Sequence, residues 1–138
     1  MAACACSSIR KAARAVTELY DGILKPSGLR VTQFALLHVL ASAGSTTITR
    51  LGQILAIDRT TMTRNLKPLV NQGLITIEAG QDQRTRVVTL TPSGREALAK
   101  ALPLWEKAQT RVVEGLGRQR WSTLLADLSA VIALARLD

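Results

Sequence analysis

Both cysteines of the 138-residue chain, Cys4 and Cys6, stand in the stretch CACSS at residues 4–8. Arg10, Lys11 and Arg14 follow closely. A helix predicted from residue 8 puts Cys6 at or just before its N-terminus, and a helix start and nearby cations both lower a thiol pKa. That setting suits two chemistries. A thiolate can attack a peroxide, become a sulfenic acid and condense with another thiol to a disulfide. A bridge between residues two apart is strained, so a resolving Cys4 comes most easily from a second copy of the chain. Alternatively, the C-x-C thiolates can bind a soft ion such as arsenite, Hg(II) or Zn(II). The third reading is that the pair is incidental in a frayed terminus. The single histidine, His38, lies in an apolar helix and reads as a core residue. A zinc site would therefore need two C-x-C pairs across a dimer, giving four sulfur ligands.

The second concentration of chemistry is cationic. In GQDQRTRVVTLTPSG, residues 80–94, Arg84 and Arg86 sit at the tip of a predicted hairpin. Asp82 is placed to pair with Arg86 or to bond loop amides, which stiffens the tip and aims Arg84 outward. An arginine on a narrow loop suits the minor groove of DNA, where the negative potential is strongest. Just upstream, Asp58 is a predicted cap for a helix over 59–72, with Met62, Leu66, Leu69 and Val70 on one apolar face. The opposite face presents Arg59, Thr60, Thr63, Arg64 and Lys67: three cations, hydroxyls between them and no acid. Arginine can bond guanine bidentately in the major groove, and threonine can meet thymine methyls or phosphates. Alone, such a face is also what a solvated amphipathic helix shows. The basic tip beside it favours DNA.

These groups need elements to hold them. The chain is long enough for one domain with a real core. It is rich in alanine and leucine and has only four aromatic residues, Tyr20, Phe34, Trp105 and Trp121, which favours helices. The net charge of +8 is spread along the chain, as expected of a folded basic surface rather than a basic tail. Apolar positions predict helices over 8–24 and 32–41, separated by KPSG at 25–28. SAGSTT, 42–47, reads as a loop, with Thr47 capping a short helix over 48–55 that turns Ile48, Leu51 and Ile54/Leu55 inward. LITIE at 74–78 and RVVTLT at 86–91 read as hairpin strands. Thr91 and Pro92 then start a helix over 92–114, and another covers 118–136. Pro68 and Pro103 are expected to bend or loosen their helices. The fold class is mainly α with a small β-hairpin wing: a winged helix-turn-helix on a helical base.

Three blocks carry a family resemblance: GLRVTQFALLHVL, TITRLGQILAIDRTTMTRNLKPLVNQGLI and DQRTRVVTLTPSGREAL. The last is similar to the wing signature D-x-R-x-x-x-V-x-L-T-x-x-G of the MarR-family transcriptional regulators, here Asp82, Arg84, Val88, Leu90, Thr91 and Gly94. The chain resembles that family over nearly its whole length. The resemblance implies an obligate homodimer, with residues 1–44 and 92–138 as a helical dimerisation base and 45–91 as the DNA-binding lobe. Leu98, Leu102, Trp105, Val112, Leu116, Leu124, Leu125, Leu128, Val131 and Ile132 are more apolar positions than one lobe needs to cover. Two recognition helices imply a pseudo-palindromic operator with half-sites about 10 bp apart. Cys6 also lies 14 residues before Tyr20. In the organic-hydroperoxide-sensing branch of the family, a reactive cysteine stands in that register before a tyrosine. Two further tyrosines of that branch are replaced here by Arg10 and Val31.

The expected function is a dimeric operator-binding regulator, a repressor released by a thiol oxidant. A soft metal or an aromatic ligand held near Tyr20, Phe34 and Trp105 is the alternative signal. A thiol peroxidase using Cys6 is the enzymatic alternative, disfavoured because no second polar residue is placed to protonate a leaving group. No cofactor motif appears. A sequence-neutral architectural DNA protein is the third reading, and the threonine-rich face argues against it. With no apolar run near the ~18 residues of a membrane span and no secretory pattern, the expected location is the cytoplasm.

Overall fold

A computed structural model describes residues 3–136 of the chain. The chain divides between Trp105 and Glu106 into two compact units. The first holds α1 (Ala5–Leu24), a 3-10 turn at Lys25–Ser27, α2 (Val31–Ala43), β1 (Thr46–Thr47), α3 (Ile48–Leu55), α4 (Arg59–Asn71), β2 (Ile75–Ala79) and β3 (Arg86–Leu90). α5 (Pro92–Leu116) starts in the first unit and ends in the second, where α6 (Arg118–Ala135) follows. The mainly α fold with a hairpin wing is therefore as the sequence predicts.

Local chemistry accounts for the boundaries. Gly28, at φ 80°, ends the 3-10 turn, with its N–H on the Lys25 carbonyl. Thr47 caps α3 by accepting the Arg50 N–H at 3.0 Å. Gly73 adopts φ 73° after α4 and donates to the Val70 carbonyl, while Leu74 N–H reaches the Leu69 carbonyl. That pair of bonds is a Schellman ending, which places a left-handed residue where glycine is least strained. Thr91 Oγ1 accepts the Gly94 N–H at 3.0 Å and donates to the Gly73 carbonyl at 2.7 Å. One side chain thus opens α5 and ties it to the end of α4.

The first unit closes around Leu24, Phe34, Leu36, Leu37, Leu40, Leu51, Met62, Leu66, Leu69, Ile75 and Val88, all buried. The sheet order is β1-β3-β2, antiparallel throughout. Its register runs from Ile75 opposite Leu90 to Ala79 opposite Arg86. In the second unit α6 has no buried residue.

Several expectations need correction. Thr46 and Thr47 form a strand, not loop, because they pair with Val88 and Val87. Val70 is 39% exposed and Ile54 43%: at about 100° per residue, each falls at the margin of its apolar stripe rather than its centre. α1 starts at Ala5 rather than residue 8, so Cys6 is inside the helix. Pro68 and Pro103 lie inside α4 and α5, neither of which ends at its proline.

His38 is exposed, not core. Its ring stacks over Phe34 at 5.8 Å and beside Trp105 at 6.5 Å, and Phe34 stacks on Trp105 at 5.5 Å. An imidazole can cover an apolar ring with its face while keeping its nitrogens in water.

Candidate nucleic-acid interface and N-terminal thiols

The helix-turn-helix is set by a tight corner. Ala56 takes φ 56°, and both its N–H and that of Ile57 reach the Gly52 carbonyl. Asp58 then opens α4: Oδ1 accepts the Thr61 N–H at 2.8 Å and Oδ2 accepts the Thr61 hydroxyl at 2.9 Å. The Thr61 backbone bond, aided by its hydroxyl, holds the Asp58 carboxyl below its ordinary range. The cap therefore stays ionised at neutral pH, next to the positive end of the helix dipole.

With Met62, Leu66 and Leu69 buried, the other side of α4 exposes Arg59, Thr60, Thr63, Arg64 and Lys67. Thr63 donates its hydroxyl to the Arg59 carbonyl at 3.0 Å. In this rotamer it offers a methyl and lone pairs outward, so it suits thymine methyls and base amino groups rather than phosphates. Arg59 turns back from the face. Its Nη1 donates to Thr49 Oγ1 at 3.4 Å.

The wing is stiffened through its loop amides. Gly80 N–H bonds the Thr85 carbonyl at 2.8 Å, and Thr85 N–H bonds the Asp82 carbonyl at 2.9 Å. Asp82 Oδ1 accepts the Arg84 N–H at 3.1 Å, the loop-amide bond of the two roles the sequence left open for it. β1 braces the wing from behind, and Ser45 and Thr89 hydroxyls meet at 2.8 Å. Arg84 and Arg86 are exposed, and both line one cleft with Arg59, Thr47, Ile48, Thr49 and Thr85. Sequence reasoning did not single out Thr47 and Thr49 as members of this surface, since only the β1–β3 pairing brings them there.

At the other end, Cys4 is the N-cap of α1, its carbonyl accepting the Ser8 N–H at 2.9 Å, and Cys6 lies in the first turn. Both thiols are free and exposed. Among the described residues no group of three His, Cys, Asp or Glu side chains is placed to hold a metal. Tyr20 is buried, and burial pushes its phenol pKa up. Fourteen residues along one helix, at about 1.5 Å each, put it roughly 21 Å from Cys6. The two do not meet within one chain.

Residues 27–85 match the sequence profile of the MarR family. The crystal structure of the M. tuberculosis transcriptional regulator MosR in complex with DNA superposes with a TM-score of 0.86 at 39% identity, over 98% of this chain and 100% of that one. The chain belongs to the MarR family. Its winged helix-turn-helix is thus that of a MarR-family transcriptional regulator, and its relatives are regulators rather than enzymes. The organic hydroperoxide resistance transcriptional regulator of Bacillus subtilis is 27% identical over 130 residues, covering 94% of this chain and 85% of that protein. The B. subtilis HTH-type regulator YwoH is 30% identical over 83 residues, and the chain spans 61% of its length. No helix among the described residues is long and apolar enough to cross a membrane.

Proposed function

We propose that this MarR-family chain is a cytoplasmic homodimeric repressor that binds a pseudo-palindromic operator and leaves it when an N-terminal thiol is oxidised. The observation that carries the DNA reading is the two-sided α4: one side wholly in the core, the other a cationic and hydroxyl face beside a braced basic wing. MosR, similar over its whole length, was crystallised on DNA, which supports the same partner here. Residues 45–91 serve as the DNA lobe, and 1–44 with 92–138 as the dimerisation base. Thr60, Thr63, Arg64 and Lys67 read bases or flanking phosphates, and Arg84 grips through the wing.

The reading is tested with duplex from upstream of the protein's own gene. Arg64→Ala is expected to change which sequence is preferred, by about 1–3 kcal/mol at one base position, while Arg84→Ala weakens binding on any duplex. Selection from a random-sequence pool reads the first, titration by fluorescence anisotropy the second. Normal binding by Arg84→Ala would refute the wing assignment.

For the signal, exposed Cys6 in the first turn of α1 is the group an oxidant would reach. Its thiolate attacks the O–O bond of a hydroperoxide: S–O forms, O–O breaks, and the alcohol leaves carrying the proton. A second thiol, Cys4 of another copy, then condenses with the sulfenic acid and releases water. The length match to a hydroperoxide-resistance regulator supports this signal. Organic hydroperoxide is expected to release wild type from DNA and leave Cys6→Ser bound. Release of both proteins, or of neither, overturns the thiol switch, and continued binding by both turns attention to soft ions at the C-x-C pair.

A further inference from the structure

We infer that the cleft between the start of α3, the start of α4 and the wing loop seats one DNA backbone phosphate, and that Arg59 belongs to this seat rather than to base reading. The inference rests on the DNA-binding reading above and deepens it.

The cleft is about 170 Å³, several times the ~30 Å³ share of one water, so it admits a phosphate group. Arg59, Arg84 and Arg86 converge on it, its other lining residues are Thr47, Ile48, Thr49 and Thr85, and no acid lines it. Three arginines lining one cleft without a carboxylate make it favourable for an anion. Nearby acids are engaged elsewhere: Asp58 with Thr61, and Asp82 with the Arg84 amide.

The cleft is also preformed. Arg86 is the first residue of β3, opposite Ala79, and Thr47 is held by pairing with Val87. Thr49 holds the Arg59 guanidinium toward α3, away from the line of Thr60, Thr63 and Arg64. Ile48 and Thr49 open α3, where amide N–H groups lack intrahelical acceptors. A planar fork of N–H donors suits phosphate oxygens well. Thr49 is a positioning residue for Arg59.

A free phosphate ion has the same chemistry as a backbone phosphate, so the test has an arm for each. Wild type, Arg59→Ala, Arg86→Ala and Thr49→Val are titrated against the upstream duplex and a scrambled duplex over a range of salt. If wild type binds neither duplex, the proposed function itself falls. Where it binds, Arg59→Ala and Arg86→Ala are each expected to lose about tenfold on both duplexes alike, with the salt slope reduced by about 1 per half-site and the preference ratio unchanged. Thr49→Val loses two- to fourfold by the same pattern, with an unchanged melting curve. One neutral methylphosphonate in each half-site should weaken wild type and leave Arg86→Ala no weaker than before.

A changed preference ratio with an intact salt slope in Arg59→Ala would make Arg59 a base reader and overturn the seat. So would a methylphosphonate scan in which every position affects wild type and variant equally. If inorganic phosphate, exchanged for chloride at constant ionic strength, releases wild type but not Arg86→Ala, the cleft serves a free anion and the backbone assignment is wrong.

Discussion

Leu128→Asp is expected to give a folded monomer that no longer holds operator DNA. α6 has no buried residue, yet Leu124, Leu128, Val131 and Ile132 fall at helical i, i+4, i+7 and i+8 spacing with Leu125 beside them, and Leu128 and Ile132 are 37% and 51% exposed. Covering the part of each large aliphatic side chain still exposed contributes on the order of 1 kcal/mol, a fraction of the value for full burial, and a twofold axis counts every position twice. An aspartate in the middle of that surface would have to lose its water without gaining a partner. Joining two half-site binders raises avidity by about 10²–10⁴, so losing the dimer should weaken operator binding by that order. Analytical ultracentrifugation and anisotropy read the two effects. A variant that still sediments as a dimer refutes the assignment of this surface.

Gly94→Ala is expected to lower stability by about 1–3 kcal/mol or more, among the largest effects of any single methyl group in the chain. A Cβ at Gly94 would run into the Leu74 carbonyl oxygen and the Leu90 side chain. The carbonyl cannot easily yield, because it accepts the Thr91 N–H at 3.1 Å and stands at the start of the wing. Relief would have to pull α5 away from the strand. For a chain this size the melting temperature should fall by about 3–10 °C. An unchanged calorimetric melt would mean that the start of α5 is looser than its hydrogen bonds indicate. The terminal glycine of the wing signature is therefore required by close approach, not by an unusual φ.

Features governed by neighbouring residues were the legible ones. Thr47, Asp58 and Thr91 were readable as caps because a short oxygen-bearing side chain before an apolar period bonds amides two or three residues on. The hairpin was readable from its β-branched runs. What escaped depends on distant partners. β1 is two residues long and exists only because β3 lies beside it. His38 sits in an apolar sequence, and its exposure follows from which rings it meets, one of them 67 positions away at Trp105. Asp82 had two candidate roles that differ by a rotamer. Helical periodicity places the Arg59 side chain on the reading face, and its turn toward Thr49 depends on a helix ten residues upstream. The separation of Cys6 from Tyr20 was calculable from a continuous helix, but only once α1 was known to begin at Ala5.

The division of α4 also bears on how such a regulator diverges. Met62, Leu66 and Leu69 answer to the core, whereas Thr60, Thr63, Arg64 and Lys67 are exposed. Exposed substitutions of this kind usually change stability by about 0.5 kcal/mol or less. On the proposed reading of this face, operator preference can therefore be rewritten at these four positions after gene duplication, or in the laboratory, without passing through an unfolded intermediate sequence. On that reading, specificity and foldability occupy separate letters of the same thirteen-residue helix.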